Sequence, residues 1–249
     1  HSLRGDGRDA GMCLLTAASR GAIDTARVLL RYGAPASATL SNGTTALHQT
    51  VLANDWSRLV DPWSRAHAQA AAFIGHQGIV RLLLKHGAAV NARMYYERHT
   101  PLMTAAKYSG FVSLGVVREL LRGGADLDVV DHKGRNAEAI ARGRLQNGIY
   151  TGEGIPEHPE SCRRPGAVEA FLALLAEVRA AGSWKRYANE PRVQLVVLRK
   201  LAESGRAVAT RGVLTRLFAP RRRLQSIGSP LPDVLFWKIL EFWRTDRDP

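Results

Sequence analysis

Apolar residues recur at helical spacing in short paired blocks along the first three-quarters of the chain. In residues 9–18, DAGMCLLTAA, Leu14, Ala17 and Ala18 share one face, and the small residues allow another helix to approach closely. Gly21 breaks that helix. The next block, IDTARVLL, puts Ile23, Ala26, Leu29 and Leu30 on one face and stops at Gly33, a residue free to take the positive φ of a helix C-terminus. The stretch APASATLSNG that follows predicts an extended loop with a tight turn at Asn42-Gly43. This order of helix, turn, helix and loop returns in GHQGIVRLLLKHGAAVNA, residues 75–92, and in the more degraded GVVRELLRGGADLDV, residues 115–129. Each unit has an apolar face that it cannot bury alone, so stacking of units is expected to complete the core. A buried leucine contributes about 1.5–3 kcal/mol, so Leu82, Leu83 and Leu84 read as a seam between units and not as a site.

These units resemble the ankyrin repeat. TTALH at residues 44–48 and HTPLMTAA at residues 99–106 match the first half of its pattern, and residues 75–92 match the second half almost throughout. DHKGRNAEAIA, residues 131–141, is similar to a worn first helix, with AVEAFLALLAEV, residues 167–178, as its partner. The resemblance covers residues 9–180 and implies an all-α fold, an ankyrin-repeat α-solenoid of four repeats with a helical C-terminal extension over 183–249. It also implies that His48 and His76 hydrogen-bond turns between units, and that Cys13, in the slot of the family's proline, is buried. In the family, the loops project as fingers which form a concave partner-binding face together with the first helices. The resemblance therefore places Arg93, Tyr95, Tyr96, Arg98, Lys133 and Arg135 on or near such a face. Tyrosine and arginine suit that role because they bring area and fixed donors. One of the two adjacent tyrosines is expected to pack inward.

The departures from the repeat are informative. Thr50-Val51 stand where an Ala-Ala pair belongs, and residues 52–72 form an insertion carrying Trp56 and Trp63. That insertion reads either as an interaction arm or as a cap folded back on the solenoid. Residues 143–165, rich in glycine and proline, read as an irregular excursion. After Gly182 the repeat stops. A helix is expected within residues 184–207, with Val193, Val196, Val197 and Leu201 apolar, and a short one at residues 213–218. The segment LPDVLFWKILEFWRTDRDP resembles the opening of an F-box, and together with the preceding helix it is similar to a SOCS box. Both imply a dock for ubiquitin-ligase subunits through Leu235, Trp237, Ile239 and Trp243; the alternative is a helical cap on the last repeat.

Of 249 residues, 45% are hydrophobic and 23% charged, a globular balance. No apolar run is long enough to span a membrane. The first residue is His1, so trimming is expected and any targeting segment lies out of view. Two cysteines, Cys13 and Cys162, make no disulfide framework, which fits an intracellular protein. The net charge is +13, and residues 160–249 hold 17 Lys and Arg against 9 Asp and Glu. That excess reads as attraction for an acidic partner, protein in preference to nucleic acid, or as an arginine-rich solvated surface.

No phosphate-binding glycine loop and no G-x-S-x-G elbow is present. His158-Pro-Glu160 fits H-x-E with Cys162 nearby, but the paired P-C-x-x-C of zinc deaminases is missing. Catalysis, a metal and a cofactor are accordingly not expected. The reading is a non-catalytic scaffold or adaptor. Its alternatives are the substrate adaptor of a cullin-type ligase and a structural subunit of a large protein or ribonucleoprotein assembly.

Overall fold

A computed structural model of the chain describes residues 7–52, 76–109, 112–146 and 166–203. It divides into two compact units, His1–Ala180 and Ala181–Pro249. The first unit contains α1 (Gly7–Ser19), α2 (Ile23–Arg31), α3 (Ala46–Leu52), α4 (residues 76–85), α5 (Pro101–Lys107), α6 (Leu114–Arg122), α7 (Ala137–Gln146) and α8 (Ala167–Ala181). Among the described residues the only β pairing is a single bridge between Thr39 and Thr45. The architecture is an all-α repeat solenoid.

Its axis is a row of inner helices: α1 packs on α3, α3 on α5 and α5 on α7. Leu14, Ala18, Leu47, Val51, Leu102, Ala105, Ala106, Ile140 and Ala141 fill these seams and are buried. The alanines let helix backbones approach closely, while each leucine adds the apolar area that drives stacking. The outer helices α2, α4, α6 and α8 supply a second buried row through Leu30, Leu83, Leu120 and Leu175. Of the three successive leucines in α4, Leu83 is fully buried and Leu82 and Leu84 are half-buried. Leu84 lies over the next unit, where a Cβ built on Gly123 would fall 2.7 Å from its Cδ1.

Local chemistry sets the helix ends. α2, α4 and α6 each stop at a Gly-Ala pair, and the alanine N–H reaches back to a leucine carbonyl: Ala34 to Leu29, Ala88 to Leu83 and Ala125 to Leu120, each at 3.0 Å. This is the helix-ending motif in which glycine takes positive φ, as Gly33 does at 86°. At the opposite ends, Thr100 accepts from the Met103 N–H with Pro101 in the first turn, and Asn136 Oδ1 accepts from the Ala139 N–H.

Two expectations need correction. Cys13 is exposed, because α1 turns Leu14, Ala17 and Ala18 inward and so leaves Met12, Cys13 and Thr16 facing out. Residues 131–136 are not part of a first helix. α7 begins at Ala137, and the stretch before it is a turn organised by Asp131.

In the second unit, α9 (Trp184–Glu203) runs through Pro191, which has no N–H to offer the turn before it. Trp184 and Tyr187 pack with ring centroids 5.3 Å apart. Val193 and Val197, expected on an apolar face, are exposed. No helix among the described residues is long and apolar enough to cross a membrane.

Candidate functional site

Three loops connect the outer helix of one repeat to the inner helix of the next, and each ends in a turn that projects as a finger. In the first, the Leu40 N–H donates to the Thr44 carbonyl and the Gly43 N–H to that of Leu40, both at 2.9 Å, with Gly43 at φ 80°. In the third, the Asp131 N–H donates to the Arg135 carbonyl at 2.9 Å, with Gly134 at φ 72°. The second closes one residue wider, with the Met94 N–H donating to the His99 carbonyl at 3.0 Å. Its positive-φ residue is Arg98, at 56°. Gly43, Arg98 and Gly134 occupy the same rank, two residues ahead of Thr45, Thr100 and Asn136. Each of those caps an inner helix.

The fingers are tied to one another. The Tyr95 N–H donates to the Asn42 carbonyl at 2.9 Å, and the Tyr95 ring lies across Gly43, so that a Cβ there would sit 2.9 Å from its Cδ1. His132 Nδ1–H reaches the Glu97 carbonyl at 3.1 Å. Further back, the Asn91 side chain bridges to the Gly124 carbonyl and the Asp126 N–H, at 3.3 and 3.0 Å.

Beneath the fingers lies a polar seam. His48 is wholly buried; its Nδ1 accepts from the Thr45 N–H at 3.2 Å, and its Nε2–H donates to the His99 carbonyl at 3.0 Å. A neutral imidazole satisfies both contacts, whereas a second proton would remove the acceptor. Burial above all lowers its pKa to about 4, against the raising effect of the His99 carbonyl. His76 Nε2 lies 3.3 Å from the Ser19 carbonyl. Both histidines therefore hold backbone of a neighbouring unit, as the resemblance implies.

His99 is buried between two carboxylates. Its Nδ1–H donates to Glu97 Oε2 at 2.9 Å, and its Nε2 is 3.5 Å from Asp131 Oδ2. Burial lowers its pKa and Lys107 adds to that, against the raising effect of the two acids. Burial alone would raise Glu97, yet Lys107, bonded to it at 3.1 Å, and the histidines hold it below the ordinary carboxylate value. Asp131 behaves alike. Burial opposes its ionisation, but Oδ1 accepts the Lys133 and Arg135 N–H groups at 2.8 and 2.9 Å, and Oδ2 accepts Arg135 Nε and Nη2 at 3.0 and 2.9 Å. Its pKa is accordingly lowered.

The consequence is an imbalance at the finger tips. Within residues 40–44, 93–99 and 131–135 the acids are Glu97 and Asp131, and both are committed to partners in the protein. Arg93, Arg98, Lys133 and Arg135 are exposed, and the first three have no ion-pair partner among the described residues. Arg135 is anchored on Asp131. Tyr95 and Tyr96 are 65% and 81% exposed, so neither packs inward as expected; only an edge of Tyr95 rests on the first finger. The structure thus brings Arg93, Tyr95, Tyr96, Arg98, Lys133 and Arg135 onto adjacent fingers. Trp56, Trp63, Leu235, Trp237, Ile239 and Trp243 lie outside the described residues.

The supporting cluster of Glu97, His99, Lys107 and Asp131 was not anticipated. The signal available was the Asp-x-x-Gly spacing of Asp131 and Gly134, which marks a turn stabilised by its own acid. Among the described residues no three His, Cys, Asp or Glu side chains gather as a metal site. The family model for ankyrin repeats (3 copies) matches residues 52–131, from the end of α3 to the start of the third finger. No curated protein matches the chain.

Proposed function

Since the chain carries ankyrin repeats, which are protein–protein interaction modules, we propose that it is a non-catalytic scaffold or adaptor holding an acidic protein partner against its second and third fingers. The observation that carries this reading is the uncompensated charge beside open aromatic surface. Arg93 and Arg98 share the second finger with Tyr95 and Tyr96, and Lys133 lies on the third, while the carboxylates of Glu97 and Asp131 are committed to partners within the protein. Tyrosine offers contact area with few rotors to immobilise, and arginine offers a rigid fork of donors. Hydrogen bonds from finger to finger and the stacked inner helices hold the backbone that carries these groups in place before binding, so only the side chains have to be ordered on association. The absence of a disulfide framework supports an intracellular setting.

The test is photocrosslinking from position 96 in the full chain, with position 32 as control, since Tyr32, the C-terminal cap of α2, is 78% exposed and lies outside the second and third fingers. An acidic protein captured from position 96, and lost when Arg93 and Lys133 are replaced by glutamate, is the expected outcome. Equal capture from both positions, or capture indifferent to the charge reversal, would remove the fingers as the partner surface.

A further inference from the structure

Arg98 is the only residue besides glycine with positive φ among the described residues. In this region the Cβ of an L-residue crowds the following carbonyl, so a glycine at this rank is the unstrained choice, and the other two fingers have one. The strain is not repaid locally. Arg98 is exposed and has no hydrogen bond or ion pair from its side chain among the described residues. Glu97, next along the chain, gives its carboxylate to Lys107 and His99 and so does not neutralise it. The third finger shows what a side chain at this rank would meet: a Cβ built on Gly134 has nothing within 4 Å. The rank therefore points away from the stack. In the first finger it is closed, because Tyr95 covers Gly43.

The geometry points to Arg98 as the anchor residue of the finger surface, grasping a carboxylate of an acidic protein segment, and retained in a glycine's conformation at the expense of stability. This rests on the reading of the fingers as a partner surface and deepens it to one residue and one chemical group. A guanidinium presents two parallel N–H donors to a carboxylate, and Tyr95 and Tyr96 offer ring faces for the aliphatic stems of adjoining acidic side chains. Backbone strain kept on an exposed tip without any internal contact in return is the signature of a functional constraint.

The test uses the full chain, isotopically labelled and titrated with a short poly-L-glutamate peptide at low ionic strength, where surface charges are least screened. Amide shifts are expected at the second and third fingers. Arg98→Gly should weaken binding about tenfold, as an interface anchor does, while melting no lower than the parent. Arg98→Lys should fall between, keeping charge and losing the fork. If Arg98→Gly binds like the parent while Tyr96→Ala or Lys133→Glu weakens binding, the anchor assignment fails and the finger reading stands. A lower melting temperature for Arg98→Gly would show that the arginine is kept for the fold, which also overturns the assignment. If the peptide shifts no finger amides, both fall. A single-stranded oligonucleotide that shifts the fingers in preference to the peptide would overturn the choice of an acidic protein segment.

Discussion

The second and third fingers reach the same backbone turn with different means of support. The third is held from inside: the Asp131 side chain is fully buried and gathers two backbone N–H groups and the Arg135 guanidinium. Three residues ahead of its positive-φ position the second finger has Tyr95, which cannot do this. It is held instead largely by its neighbours, through Asn42 on one side and His132 on the other, while its own Glu97 is fixed by His99 and by Lys107 of the helix it leads into. A finger supported by others is relieved of supporting itself, so its own side chains, Tyr95, Tyr96 and Arg98, are left to face outward. The self-supported finger keeps glycine at the turn and ties down its arginine.

Acid is the strongest way to break this arrangement, because His48 joins the cap after the first finger to the base of the second. Its folded pKa is about 4 against an unfolded 6.5. Above pH 6.5 neither state is protonated and the full stability is present. Between the two values the unfolded chain takes up a proton that the folded chain refuses, so stability falls as the pH drops, by about 3 kcal/mol in all. Glu97 and Asp131, both lowered, add further loss once the pH passes below the ordinary carboxylate range. Urea unfolding across pH 7 to 4.5 should show the decline, and His48→Asn should flatten its upper part. A profile unchanged by that substitution would mean that the linkage lies elsewhere.

Removing the internal support should cost somewhat less and should act on one finger. Asp131→Ala leaves the Lys133 and Arg135 N–H groups without their acceptor, a loss of about 2 kcal/mol. Hydrogen exchange should then quicken at those amides and leave the Leu40 and Gly43 amides of the first finger protected. If all three fingers loosen together, the distinction between self-supported and neighbour-supported turns is wrong.

The smallest effects give the sharpest comparison. Gly134→Ala meets open space and should cost about 1 kcal/mol, from backbone strain alone. Gly43→Ala should cost more, since its Cβ would lie 3.0 Å from the Tyr95 backbone nitrogen as well as against the ring. Thermal or urea melts of the pair measure the difference, and equal costs would mean that Tyr95 yields freely.

Much of this protein was legible along the chain, because it depends on interactions within a few residues. The spacing of Leu14 with Ala17 and Ala18, the helix end at Gly33 and the turn at Asn42-Gly43 all follow from local geometry. Repetition of these signals is what implied stacking, and the inner helices do stack. Arg93, Tyr96 and Lys133, which the resemblance placed on or near a binding face, are exposed in the structure, since polar and aromatic residues in a loop have little to bury them.

The tertiary structure decided which groups were used up. His48 meets His99 across 51 residues of chain, and Glu97 and Asp131 converge on one imidazole; no local periodicity encodes such meetings. Cys13 and the inward tyrosine were misplaced for the same reason, because a slot in a repeat names an average environment while burial depends on the particular neighbour. The sequence by itself determined helices, turns and their repetition, through steric and hydrophobic periods a few residues long. Only stacking decided that His48 would reach the His99 carbonyl and that His99 would lie between Glu97 and Asp131, because such contacts depend on the distance that packing sets between residues far apart in the chain.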